Sequence, residues 1–109
     1  MFTGIVEELG TVAAIEDQGD ALRLTVRATT ALDGTILGDS IAVNGCCLTV
    51  AAVEGDTWTA DVMQETLDKT SLYGVRPGDA VNLETDVIAR HVEKLLPHYL
   101  AAYLPGAST

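Results

Sequence analysis

Hydrophobic and polar residues alternate most clearly over residues 21–28, where Leu22, Leu24 and Val26 fall on one side and Arg23, Thr25 and Arg27 on the other. A period of two with one apolar side is the signature of a half-buried strand. Residues 4–15 read as a second, longer strand, with Gly10 as its kink or bulge, and the Gly- and Asp-rich cluster 16–20 turns the chain between the two. After an irregular segment, 29–39, residues 40–53 read as one mostly apolar strand interrupted at its middle by Asn44-Gly45. Glu54-Gly55-Asp56 is a tight turn into a hairpin partner, Thr57 to Met63. From Gln64 to Leu72 the alternation is lost, which suits a short helix. Arg76-Pro77-Gly78-Asp79 is a β-turn, and Ala80 to Glu84 is a last strand.

Beyond Asp86 the period changes. Ile88, Val92, Leu95, Leu96, Tyr99, Leu100 and Tyr103 recur at helical spacing, with Asp86 placed to cap the start. Pro97 requires that this helix kink, or end and restart. The pattern predicts about six short strands closed into a barrel, followed by an amphipathic helix. That helix either closes one end of its own barrel or packs against copies of itself.

With 109 residues the chain makes one domain, long enough to bury a core without metals or disulfides. The formal charge of −10, with six Lys and Arg scattered along the chain, argues against nucleic acid and anionic membranes as partners. So few cations also argue for an uncharged or weakly acidic ligand. No apolar run approaches a membrane span, and residues 1–6 lack the basic-then-apolar order of a secretory signal. The two cysteines are adjacent, and a bond between sequence neighbours is badly strained. Free thiols fit a reducing, cytoplasmic setting.

The candidate chemistry lies in residues 41–50, Ile-Ala-Val-Asn-Gly-Cys-Cys-Leu-Thr-Val. Glycine in the middle of an apolar strand marks a bulge or a place where a ligand or another backbone comes close. Side chains alternate along a strand, so Cys46 and Cys47 take opposite faces and Cys47 shares its face with Thr49. A soft thiol and a hydroxyl beside a backbone opening suit the wall of a small-molecule site. Taken alone, a strand cysteine is more often a small buried hydrophobe, and Asp61 and Glu65 read as surface carboxylates. His91 and His98 have no further partners at ligand spacing, so no metal site is expected.

Three motifs carry a family resemblance: Met1-Phe2-Thr3-Gly4-Ile5-Val6-Glu7, Asn44-Gly45-Cys46-Cys47-Leu48-Thr49-Val50, and Met63-Gln64-Glu65-Thr66-Leu67 with Thr70-Ser71-Leu72. In order and spacing they resemble riboflavin synthase, and more narrowly its N-terminal lumazine-binding barrel. The resemblance implies an all-β, six-stranded Greek-key barrel over residues 1–85. Residues 86–104 would form the family's C-terminal α-helix, which joins subunits into a trimer, and 105–109 a flexible tail. The family's second barrel has no counterpart here, since residues 82–100 resemble the end of that barrel and the helix after it.

The resemblance also implies chemistry. Two molecules of 6,7-dimethyl-8-ribityllumazine exchange a four-carbon unit, giving riboflavin and a ribitylamino-pyrimidine, with no metal or redox cofactor. Carried over by motif, the ligand-binding positions are Gly4, Ile5 and Val6; Cys47, Leu48 and Thr49; and Asp61, Val62, Met63, Gln64, Glu65 and Thr66. Cys47 is the one catalytic candidate. Three functions follow: a lumazine- and riboflavin-binding barrel with weak or absent synthase activity, a homo-oligomeric synthase, or a non-catalytic flavin carrier or antenna. In all three the partners are a small flavin or lumazine and further copies of the chain, as trimer or dimer.

Overall fold

The computed structural model describes Phe2 and residues 4–86. The predicted C-terminal helix beyond Asp86, the tail, His91 and His98 lie outside them. Seven antiparallel strand segments form one sheet: β1 (Glu8–Asp17), β2 (Ala21–Arg27), β3 (Ser40–Val43), β4 (Cys46–Thr49), β5 (Ala52–Glu54), β6 (Thr57–Met63) and β7 (Ala80–Thr85). A helix, α1 (Gln64–Lys69), follows β6 directly. The order across the sheet is β4-β3-β7-β1-β2-β6-β5.

The two ends of that order belong to one stretch of chain. β4 pairs with β3, and only two residues later β5 pairs with β6. At the handover the Val50 N–H donates to the Asp39 carbonyl at 2.8 Å, and the Ala51 N–H to the Thr59 carbonyl at 2.8 Å. Counted as one path, residues 46–54 make the expected sixth strand and curl the sheet towards a barrel. Closing a sheet this way removes the exposed edges that invite mispairing.

Alternation sets the interior. Leu24 and Val26 of β2, Ile41 and Val43 of β3, Leu48, Val81 and Leu83 are buried on one face, with Trp58, Ala60 and Val62 of β6. Val12, Val50, Leu67 and Leu72 complete the core. Trp58 is fully buried and is the largest side chain of the core. In β1 the irregularity in pairing falls between Val12 and Ala14, three positions past Gly10 at its centre. Gly10 serves a different end: a Cβ there would stand 2.6 Å from Leu83 Cδ1 and 2.8 Å from the Arg27 carbonyl oxygen.

One expectation is corrected. Residues 40–53 are not a single strand. Val43 pairs with Cys46 across a two-residue turn in which Asn44 (φ 49°) and Gly45 (φ 83°) are both left-handed. Two such residues make a type I′ turn, whose twist matches that of the flanking strands. Asn tolerates that conformation better than other non-Gly residues, and Gly adopts it without a Cβ penalty. The Asn-Gly pair is therefore a hairpin turn and not a bulge.

Candidate functional site

The hairpin places the motif residues on the outer face of the sheet. Residues directly opposite in an antiparallel pair share a face. Cys47 is opposite Ala42, and Ala42 is opposite Glu84, so the three form a row across β4, β3 and β7. With strands about 4.8 Å apart, the row spans roughly 10 Å. Cys47 and Thr49 are exposed on this face, as the alternation requires, while Cys46 turns inward against the core.

The segment before β1 is laid over the far end of the row. The Glu7 N–H donates to the Leu83 carbonyl at 2.8 Å, and the Thr85 hydroxyl donates to Glu7 Oε1 at 2.6 Å. The Gly4 N–H lies 3.0 Å and 3.2 Å from the two carboxylate oxygens of Glu84. Between this segment and the Asn44-Gly45 turn opens a cleft of about 390 Å³. Gly4 and Val6 form one wall, Ala42 and Leu83 the floor, and the turn with Ser71 and Asn82 the opposite wall; Glu84 sits at one side. A smaller cleft of about 240 Å³, lined by Tyr73, Val75 and Asp79 among others, shares Asn44 and Ser71 with it.

The turn is held firmly. The Asn44 N–H donates to the Asn82 carbonyl at 2.8 Å, and the Asn82 N–H returns a bond to Asn44 Oδ1 at 2.7 Å. The Ser71 hydroxyl donates to the Asn44 carbonyl at 2.6 Å, which draws the chain after α1 over the end of the barrel. Leu67 and Leu72, buried on either side, seal the core beneath it.

The predicted site residues divide into groups. Gly4 and Val6 line the main cleft, and Cys47 adjoins its floor through Ala42. Leu48 and Val62 point into the core, at 6% and 2% exposure, so a ligand on the outer face would meet only their backbone. Asp61 and Met63 are exposed on β6, which lies beside β4 in the curled sheet. Asp61 is paired with Arg23 at 3.0 Å. In α1, Gln64 donates to Asp68 at 2.9 Å, Glu65 pairs with Lys69 at 2.6 Å, and Thr66 is half-buried. Asn82 and Glu84 belong to the cleft but were not singled out from sequence. Their signal was an alternating strand carrying a carboxylate at a position the structure buries.

A second carboxylate holds the neighbouring loop. Glu8 accepts the Thr29 N–H at 2.7 Å, the Thr29 hydroxyl at 2.9 Å and the Ala31 N–H at 2.8 Å. Burial works to raise its pKa, but the bonds from Ala31 and Thr29 outweigh it and hold the carboxyl below its ordinary value. Among the described residues no three His, Cys, Asp or Glu side chains are grouped to hold a metal ion, and no helix is long and apolar enough to cross a membrane.

Comparison with known proteins meets this geometry. Residues 3–86 match the lumazine binding domain, a span that contains the whole sheet and both walls of the cleft. The chain belongs to the lumazine-binding domain family. This lumazine-binding domain is 55% identical over 85 residues to riboflavin synthase of Mycobacterium tuberculosis, covering 77% of the chain and 42% of that protein. It is 49% identical over 89 residues to riboflavin synthase of Actinobacillus pleuropneumoniae, with 82% and 41% covered. Against riboflavin synthase of Bacillus subtilis the identity is 41% over 108 residues, covering 99% of the chain and 49% of the relative. The chain thus spans less than half the length of these relatives.

In fold the domain is similar to LumP complexed with riboflavin, with a TM-score of 0.73 and 30% identity over 81% of the chain and 48% of LumP. It is equally similar to LumP complexed with 6,7-dimethyl-8-(1'-D-ribityl)lumazine, with a TM-score of 0.72 and 32% identity over 80% and 49%. These are the two ligands the sequence motifs implied, and the barrel fold they implied is the one observed.

Proposed function

We propose that this domain binds 6,7-dimethyl-8-ribityllumazine and riboflavin on the outer face of its β3–β4–β7 sheet, with weak or absent synthase activity of its own. One observation carries the reading: three separated motifs converge there, with Gly4 and Val6 in the cleft wall, Cys47 beside its floor, and Ser71 tied to the Asn44-Gly45 turn. A flat heterocycle with a polyol chain needs an apolar bed with a few placed hydrogen-bonding groups. Ala42 and Val6 offer the first; Asn82, Ser71, Thr49 and the backbone of the Gly4 segment offer the second. Cys47 contributes a polarizable contact, or a thiolate at the acceptor carbon if turnover occurs.

Titrating riboflavin with the purified protein should quench flavin fluorescence at micromolar concentration. Absence of quenching by folded protein would reject the proposal.

A second reading, a competent synthase, is favoured by the relatives' names and by the exposed apolar residues Ile5, Val6, Leu9 and Met63. Dismutation needs two rings brought face to face, and one barrel offers one such face. Two or three copies would have to meet, with Cys47 of each copy in an equivalent place. Incubation with lumazine alone separates the readings: steady riboflavin release that Cys47→Ser slows would favour the synthase, and binding without release favours the carrier.

A further inference from the structure

The geometry points to Glu84 as a positioning residue, a carboxylate clasp that holds Gly4–Val6 in place as the wall of the cleft and so sets the fraction of molecules ready to take a ligand; the inference rests on the binding function proposed above. A carboxylate is seldom buried unless it is paired or hydrogen-bonded. Glu84 is only 7% exposed, although its strand position faces out from the sheet and away from the core. It is covered from outside, where the Gly4 N–H reaches both of its oxygens, at 3.0 Å and 3.2 Å. Hydrogen bonds to an ionised acceptor are roughly twice as strong as neutral ones.

Apolar packing holds this stretch weakly. Ile5 is 69% and Val6 49% exposed, so apolar burial contributes little there, and the contacts of Glu7 with Leu83 and Thr85 secure the end next to β1. Gly4 reaches the clasp at φ +80°, a conformation that suits glycine, with open space around its α-carbon. Gly4, Val6 and Glu84 line the same cleft, so opening the clasp removes one of its walls. A ligand that needs the wall then binds more weakly by the fraction of molecules in which it is in place.

The test compares wild type, Glu84→Ala and Glu84→Gln in two measurements: riboflavin affinity from fluorescence, and amide exchange of Gly4, Ile5 and Val6 by NMR without ligand. Losing a hydrogen bond to a charged group predicts about tenfold weaker riboflavin binding for Glu84→Ala. Glu84→Gln, which keeps one acceptor oxygen, should fall between the two. Exchange at residues 4–6 should rise in the same order, while the amides of β2 and β6 keep their protection; a general loss of stability would not single out one segment. Affinity within twofold of wild type in Glu84→Ala, or unchanged exchange at 4–6, overturns the inference. If Glu84→Ala does not fold, Glu84→Gln decides on the same two readouts. If wild type fails to bind riboflavin the proposed function falls, and the exchange measurement alone then decides whether the clasp exists.

Discussion

The molecule contains two hairpins built on the same local recipe and put to opposite uses. Both close through two residues with a left-handed glycine: Asn44-Gly45 between β3 and β4, and Gly55-Asp56 between β5 and β6. The first turn is bonded into its surroundings through the Asn82 backbone, in both directions, and through the Ser71 hydroxyl. The second has a bond from the Thr57 hydroxyl to the Glu54 carbonyl, one from the Ala28 N–H to the Asp56 carbonyl at 2.8 Å, and an exposed ion pair between Asp56 and Arg27 at 3.2 Å. The first lines the 390 Å³ cleft through both of its residues. Both turns are tied to distant backbone, and what sets the first apart is that its Asn44 side chain and the Ser71 hydroxyl add further bonds beside the cleft.

Four substitutions probe that contrast. The largest effect should come from inside the plain hairpin. Trp58→Ala removes a fully buried indole from β6 and should cost about 3–5 kcal/mol of unfolding free energy in denaturant titration. Asn44→Ala should cost about 2–3 kcal/mol, combining a left-handed non-Gly residue with the lost bond to the Asn82 N–H. It should also weaken riboflavin binding, which no change in the other turn should do. Gly55→Ala, at φ 59° with nothing within 4 Å of the added carbon, should cost about 1 kcal/mol and leave affinity unchanged. Asp56→Ala breaks only a solvent-exposed pair and should stay within roughly 0.5 kcal/mol. A loss of affinity on changing Gly55 or Asp56 comparable to that of Asn44→Ala would erase the distinction between the hairpins.

Much of this architecture was readable beforehand, because the signals were local. The clean alternation at 21–28, the Glu54-Gly55-Asp56 turn, the loss of period after Gln64 and the turn at 76–79 each became the predicted element. The opposite faces of Cys46 and Cys47 followed from alternation alone. What misled was the apolar continuity of residues 40–53, which outweighed the strongest short-range hairpin signal in the chain, Asn-Gly. Burial of Trp58 depended on which strands flank β6, and no local pattern encodes that. Glu84 and Asn82 entered the site through pairings between residues some 40 to 80 positions apart in the chain. The family resemblance supplied Gly4–Val6; their partner across the cleft needed coordinates.

The pairing of β1 with β7, which sets Glu8 opposite Leu83, has a consequence for how the protein is made. During synthesis β1 and β2 emerge first, yet one side of β1 has no partner until residues 80–85 have left the ribosome. Nascent chains should therefore resist protease abruptly, once that last strand is free, and not by degrees as each hairpin appears.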